Sequence, residues 1–271
     1  MAFLVCPLCR QLLAPDDRSW RCAQGHAFDT AREGYLNLLP VQQKKSRAPG
    51  DNPEMVRARR AFLAAGHYAP LRDAVLDLLR PLQPRTLLDI GCGEGWYTGA
   101  LRTVAADVTG LDLSKDAVRL AAKQHPGIRW LVAGSSALPL ADASMDVVTS
   151  LFSPLPAAEI ARVLKPGGHL LVVTPGPRHL WALREALFDE VRPHAPEKFV
   201  EQLAPRFELV QQVDVAFDLT LDQSALQDLL TMTPYAWRAD KARRNVTEIR
   251  QLRAEFALLL WSTRPAEPAS E

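Results

Sequence analysis

The chain has 271 residues, 48% of them hydrophobic and 23% charged, an ordinary balance for a globular protein that buries a substantial core. No apolar run reaches the ~20 residues needed to cross a bilayer, and residues 1–5 are too short for a secretory core, so a cytoplasmic protein without membrane contact is expected. The net charge of +1 is unevenly spread: residues 1–60 carry ten Lys/Arg against six Asp/Glu, and the remainder carries 22 against 25, which suits an N-terminal contact with a polyanion.

The first element is a cysteine/histidine knuckle. Cys6 and Cys9 stand two residues apart, Cys22 and His26 three apart. Such pairs present three thiolates and one imidazole to a tetrahedral metal. Four protein donors leave no open position, so the zinc is structural, and soft thiolates favour it over magnesium or calcium. Gly25 supplies the turn beside His26, and a segment this short needs a metal or a disulfide to fold. Cysteines this clustered do not describe a disulfide framework. The fourth, Cys92, reads as an inert small residue. Residues 42–53 (QQKKSRAPGDNP) read as a linker. A helical pattern follows, with Met55, Ala58, Phe62 and Leu63, a break at Gly66-His67-Tyr68, then Leu71, Val75, Leu76 and Leu79.

Strands and helices then alternate. Strands are predicted at residues 86–90, 107–113, 128–133, 145–152 and 169–174, with helices ending at 101 and covering 115–124 and 156–164. Lys165-Pro166-Gly167-Gly168 reads as a turn. This order predicts a Rossmann-like α/β fold with a mostly parallel sheet covered on both faces. Residues 207–220 and 255–263 read as a late hairpin-like pair of strands, with helical segments at 221–230 and 241–253 between them.

The chemistry is concentrated in Asp89-Ile90-Gly91-Cys92-Gly93-Glu94-Gly95, between a strand and a helix. Glycines there let the backbone approach a ligand, and the helix offers unpaired N–H groups. The G-x-G-x-G spacing, rather than G-x-G-x-x-G, points away from a dinucleotide. Asp89 stands where a methionine ammonium would want a carboxylate. Asp112, about 20 residues on, is placed to accept two ribose hydroxyls, with a helix-capping role as its alternative. Ser135 and Ser136 fall near an adenine edge or in a plain loop.

The knuckle with Phe28-Asp29, Gly34-Tyr35-Leu36-Asn37-Leu38-Leu39, Arg59-Arg60-Ala61-Phe62, Gly66-His67-Tyr68, the glycine loop, Tyr97-Thr98 and Thr174-Pro175-Gly176-Pro177-Arg178-His179 together resemble the bacterial 23S ribosomal RNA guanine-N1 methyltransferases. That family joins an N-terminal zinc-binding domain to a class I S-adenosylmethionine methyltransferase domain. Residues 49–51 and 61–63 lean towards its Gram-negative type. The resemblance implies a seven-stranded, mostly parallel methyltransferase sheet, S-adenosylmethionine and structural Zn²⁺ as cofactors, and 23S rRNA as partner. It places cofactor contacts on Tyr68, Tyr97, Thr98 and His179, beside Asp89, Gly91, Gly93 and Asp112. The implied division is residues 1–40 as the zinc-binding RNA-recognition domain, 41–53 as linker and 54–271 as the methyltransferase domain.

Guanine N1 bears a proton, so methylation there needs a base or a hydrogen-bond network. The candidates are His179 and a group near Phe152-Ser153-Pro154, and the absence of an Asn-Pro-Pro-Tyr element argues against an exocyclic amine as acceptor. Arg10, Arg18, Arg21, Arg32, Lys44, Lys45, Arg47, Arg57, Arg59 and Arg60 supply a basic surface for RNA, and Tyr235 and Trp237 are candidates for stacking or for packing. A homodimer is a further expectation. The rivals are a small-molecule methyltransferase with a zinc cap and a non-catalytic zinc adaptor.

Overall fold

Three short strands, β1 (Ala14–Asp16), β2 (Ser19–Arg21) and β3 (Ala27–Asp29), form an antiparallel sheet around the knuckle. They bury too little apolar surface to stand alone. In the computed structural model, which describes residues 3–40, 52–235 and 249–264, this unit leans on a larger body. Leu4, Cys6 and Leu13 pack into one apolar cluster with Leu36, Leu38, Leu131, Leu138 and Leu140. Backbone bonds join Val5 N–H to the Pro139 oxygen (3.0 Å) and Ala141 N–H to the Phe3 oxygen (2.9 Å). Arg10 donates from Nη1 to the Leu138 oxygen at 2.9 Å.

The body is built on β4 (Tyr35–Asn37), β5 (Thr86–Ile90), β6 (Asp107–Asp112), β7 (Arg129–Val132), β8 (Met145–Leu151), β9 (Leu164–Pro175), β10 (Phe207–Thr220) and β11 (Gln251–Thr263). Their order across the sheet is β10-β11-β9-β8-β5-β6-β7-β4. Only β11 runs against its neighbours. The central strands are buried on both faces, so they read as continuous apolar runs rather than alternating ones. The outer strand β10 is largely exposed and keeps its alternation.

The sheet has eight strands rather than the expected seven. The additional one, β4, comes from the segment after the knuckle and pairs in parallel with β7, Leu36 opposite Leu131. Two boundaries also differ. Residues 251–253, expected to end a helix, open β11, where they pair with Asp218, Leu219 and Thr220, and Arg253 reaches the Asp218 carboxylate at 3.2 Å. Residues 241–248 of that expected helix, and Trp237, lie outside the described residues. Lys165–Gly168 is absorbed into β9 through a register shift against β8, with Gly167 at φ +75°.

The helices are α1 (Pro53–Ala64), α2 (Ala69–Leu79), α3 (Trp96–Leu101), α4 (Lys115–Gln124), α5 (Ala157–Val163), α6 (Trp181–Leu187), α7 (Glu197–Leu203) and α8 (Gln223–Met232). Several begin on side-chain caps. Asn52 accepts from Met55 N–H at 2.9 Å, with Pro53 in the first turn, and Asp222 accepts from Ala225 N–H at 2.7 Å; such caps satisfy donors that the helix leaves open. Among the described residues no helix is long and apolar enough to cross a membrane.

One packing contact is unusually tight. Gly110 on β6 lies opposite Trp130 on β7, and a Cβ at Gly110 would meet the buried indole at 2.4 Å. Overpacking at such a site typically costs about 1–3 kcal/mol. Gly110→Ala is therefore expected to lower the urea midpoint by that equivalent without changing the slope of the transition.

Candidate active site and metal centre

The knuckle converges. The ligand atoms of Cys6, Cys9, Cys22 and His26 all lie within 4.8 Å of one another. His26 Nδ1 is 3.5 Å from Cys6 Sγ and 3.4 Å from Cys22 Sγ, and Cys9 Sγ is 3.6 Å from Cys22 Sγ. A tetrahedron with Zn–S bonds of about 2.3 Å spaces its sulfurs about 3.8 Å apart, so the four donors fit Zn²⁺. The turns are set by backbone: Arg10 N–H to the Cys6 oxygen at 2.8 Å, and Gly25 N–H to the Cys22 oxygen at 2.9 Å with Gly25 at φ +82°. The metal would hold the segment together and supply no reaction chemistry.

At the carboxyl ends of β5, β6 and β8 a cavity of about 350 Å³ opens among Asp89, Gly91, Gly93, Tyr97, Asp112 and Ser135. Asp89 is 2% exposed. Thr98 donates to its Oδ2 at 2.5 Å and Thr149 to its Oδ1 at 2.8 Å. Burial outweighs these bonds and raises the carboxyl to about 6. Asp112 accepts from Gly93 N–H at 3.0 Å and from Ser114 N–H at 2.7 Å, which fixes its carboxylate at the cavity wall. Gly91, at φ +74°, is needed twice, because a Cβ there would also meet Ser153 Cβ at 2.4 Å. Ser153 donates from Oγ to the Ile90 oxygen at 2.7 Å and so locks the β8 loop onto the glycine turn.

The Tyr97 hydroxyl is buried without a hydrogen-bond partner in the protein. A buried orphan at a cavity wall calls for a polar ligand. The same wall carries two acids, Asp89 and Asp112, beside backbone of the glycine turn. A lining of acids, glycine backbone and one unsatisfied hydroxyl is of the kind that S-adenosylmethionine, with its ammonium and ribose hydroxyls, would need.

The expected contacts divide between two places. Thr98 does not line the cavity; it stands behind Asp89. Tyr68 and His179 line a second cavity of about 400 Å³, which shares Arg59, Phe152 and Ser153 with the first. Phe152 marks the junction, 47% exposed and at φ +57°, a strained backbone for a bulky residue. His179 bonds through Nδ1 to the Glu255 oxygen at 2.8 Å, and burial lowers it to about 3. His194, lowered to about 4 chiefly by burial, meets the Tyr235 hydroxyl through Nε2 at 3.1 Å. Arg59 was expected on a basic surface for RNA and instead lines both cavities, while Thr149 and His194 carry no expectation. Thr149 and Ser150 were detectable as two hydroxyls ending an otherwise apolar strand; His194 carries no local signal. On the basic surface, Arg21 pairs with Asp16, Arg10 is spent on Leu138, Arg18, Arg32, Arg57 and Arg60 are exposed, and Lys44, Lys45 and Arg47 lie outside the described residues.

A parallel sheet with one reversed strand, a glycine turn after β5, acids ending β5 and β6, and a zinc ribbon in front define a class I S-adenosylmethionine-dependent methyltransferase. Comparison with known proteins agrees. Residues 4–47 match a zinc-ribbon model described as RlmA, N-terminal, and residues 88–172 match a methyltransferase domain model. A Streptomyces fradiae protein named 23S rRNA (guanine(748)-N(1))-methyltransferase is 41% identical over 246 residues, covering 88% of this chain and 87% of that one. A Micromonospora griseorubida protein assigned a guanine-N1 reaction on 23S rRNA is 37% identical over 266 residues, covering 89% and 88%. The YcgJ protein of Bacillus subtilis shares the fold at a TM-score of 0.52 and 18% identity, covering 74% of this chain and all of that one. The chain belongs to the 23S rRNA guanine-N1 methyltransferase family.

Two outcomes are expected. Elemental analysis of the purified protein should find about one zinc per chain, falling well below that in Cys9→Ser, with a lower melting temperature. Asp89 must be ionised to hold an ammonium, and burial has raised it to about 6. Cofactor affinity should therefore be full above pH 6 and weaken below it by up to about tenfold per unit. Titration calorimetry should find this slope in the wild type and lose it in Asp89→Asn, which binds weakly throughout.

Proposed function

We propose that this protein transfers a methyl group from S-adenosylmethionine to N1 of a guanine in a 23S rRNA hairpin. The observation that carries the reading is the pair of joined cavities at the carboxyl edge of the sheet, one suited to the cofactor and the other, largely apolar with a few polar groups, of a size for a nucleobase. Family membership supports the substrate.

S-adenosylmethionine supplies an electrophilic methyl group on a sulfonium. The chain's own residues bind, align and exclude water, which is most of what an in-line displacement asks of a protein. Asp89, Gly91, Gly93, Tyr97 and Asp112 hold the cofactor, with Thr98 and Thr149 fixing Asp89. Tyr68 and His179 face the acceptor side of the junction. A base inside a hairpin must leave its stack to reach such a cavity, and Phe152 offers an exposed ring at the mouth.

Residues 1–40 act in this reading as the RNA-recognition unit, 41–53 as the connection and 54–271 as the methyltransferase domain. Arg18 and Arg32 on the first and Arg57 and Arg60 on α1 are exposed for phosphate contact. A homodimer belongs to the same proposal and is tested by sedimentation. For the target we take position 748, named for the Streptomyces fradiae relative.

The test is methyl transfer from labelled cofactor to unmodified 23S rRNA, with the product located by primer extension. One strong stop at guanine 748 is expected. A stop at a different hairpin guanine would overturn the assignment to position 748 and favour the Gram-negative branch suggested by residues 49–51 and 61–63. Cofactor binding with no transfer to rRNA overturns the reading.

A further inference from the structure

Behind the second cavity lies a charge that cofactor binding does not use. Arg184 on α6 is only 8% exposed. Its Nη2 donates to the Arg192 oxygen at 2.5 Å, and its Nη1 has no hydrogen-bond partner. Neighbouring acids are engaged elsewhere: Glu185 accepts from Trp181, and Glu190 pairs with Arg192. The guanidinium instead rests against aromatic faces, 5.6 Å from the Trp181 ring and 6.0 Å from the Tyr235 ring. A buried cation that pairs with no acid among the described residues is costly to a fold, and this one sits one ring away from a cavity wall, since Tyr235 lines the cavity.

The rest of that wall is short of negative charge. None of the described residues lining the cavity is acidic. Its polar side chains include Arg59 and Tyr68 from the α1–α2 region, His179 and His194 from either side of α6, and Tyr235 from the end of α8, with Arg184 behind Tyr235. On β11 the Glu255 carboxylate is turned to Arg178 N–H (3.1 Å) and Arg253 (3.4 Å). His179 Nδ1 lies 2.8 Å from the Glu255 oxygen and 3.2 Å from its N–H; with the proton on Nδ1 and donated along the shorter contact, Nε2 carries the lone pair left for a ligand. A cavity with neutral donors, one cation in its wall and a second behind it suits a planar, electron-rich ring that gains negative charge as it reacts. Guanine does so when N1 loses its proton, the charge spreading to its carbonyl oxygen.

We infer that the target guanine occupies this second cavity, that Nε2 of His179 accepts its N1 proton, and that the buried charge of Arg184 favours the deprotonated ring. The inference rests on the guanine reading above. As the N1–H bond breaks towards His179, the N1 electron pair forms the bond to the methyl carbon. The carbon–sulfur bond breaks with its pair left on sulfur, so the sulfonium charge is lost and the imidazolium later releases a proton to water. Burial, aided by Arg184, keeps both histidines neutral. That leaves His179 always able to accept a proton but only a weak base. The field must therefore act on the guanine itself, and Arg184 is a positioning residue that touches neither reactant.

The experiment is the kcat–pH profile on unmodified 23S rRNA for the wild type, Arg184→Gln and Arg184→Lys, with cofactor affinity measured by calorimetry. Gln keeps a donor for the Arg192 oxygen without the charge; Lys keeps the charge. In R184Q the rate is expected to fall roughly ten- to a hundredfold at neutral pH, equivalent to a midpoint about one to two units higher, with the loss closing at alkaline pH. R184K should retain the wild-type midpoint, and all should bind S-adenosylmethionine alike. His179→Asn should lose roughly a hundredfold or more at neutral pH, the loss shrinking at alkaline pH where N1 ionises without a base. A pH-independent loss in R184Q, or equal losses in R184Q and R184K, overturns the inference. Should R184Q fail to fold, R184M, an apolar replacement, carries the same expectation. If the wild type itself does not methylate guanine N1, the functional reading falls first, and the two failures are told apart.

Discussion

A carboxylate removed from water must be held by dipoles, and around Asp89 the holding groups come from different parts of the fold. Thr98 reaches it from the first turn of α3 and Thr149 from β8. Their bonds fasten the end of β5 to the helix after the glycine turn and to the neighbouring strand. The burial that raises Asp89 is compensated only in part. A cationic group arriving at the cavity therefore gains more from this carboxylate than it would from one in water, because the cost of dehydrating the acid has already been met by folding. The glycine turn, the Ser153 lock and the Asp112 wall all take their positions from that fixed point.

Much of this was legible in the sequence because it rests on local chemistry. Knuckle ligands declare themselves by residue type and spacing, and the glycine loop by lying between an apolar run and a helix. The α4 boundaries follow from Ser114 as a cap and from one apolar face. What was not legible depends on distant partners. Tyr35–Asn37 is too short to announce a strand and becomes one only because β7 offers an open edge. Residues 251–253 carry charges that suit an exposed helix equally well, and their pairing with β10 decides otherwise. His179 and Tyr68 could be assigned to a site but not to one of two cavities, since 111 residues of chain separate them and only the fold brings them together. Arg184 looks like an ordinary surface arginine until its burial is known.

The zinc unit is not a tethered appendage. Its apolar residues belong to the same cluster as the sheet, and β4 continues the strand order beyond β7. The end of β7 leads directly into Gly134 and Ser135, which line the first cavity. The ribbon is thus held in fixed register with that cavity, and a shift of the ribbon would be felt first at this wall.

The β4–β7 pairing has a second effect, on solubility. Without β4, one side of the large sheet would end in β7, a strand of buried apolar residues with unpaired backbone groups along its length. Such an edge is a template for another chain. The ribbon caps it, and the ribbon in turn keeps its shape through its metal. Loss of the zinc would then leave a protein with an open, adhesive flank, removed from circulation by self-association while its catalytic pocket is still intact.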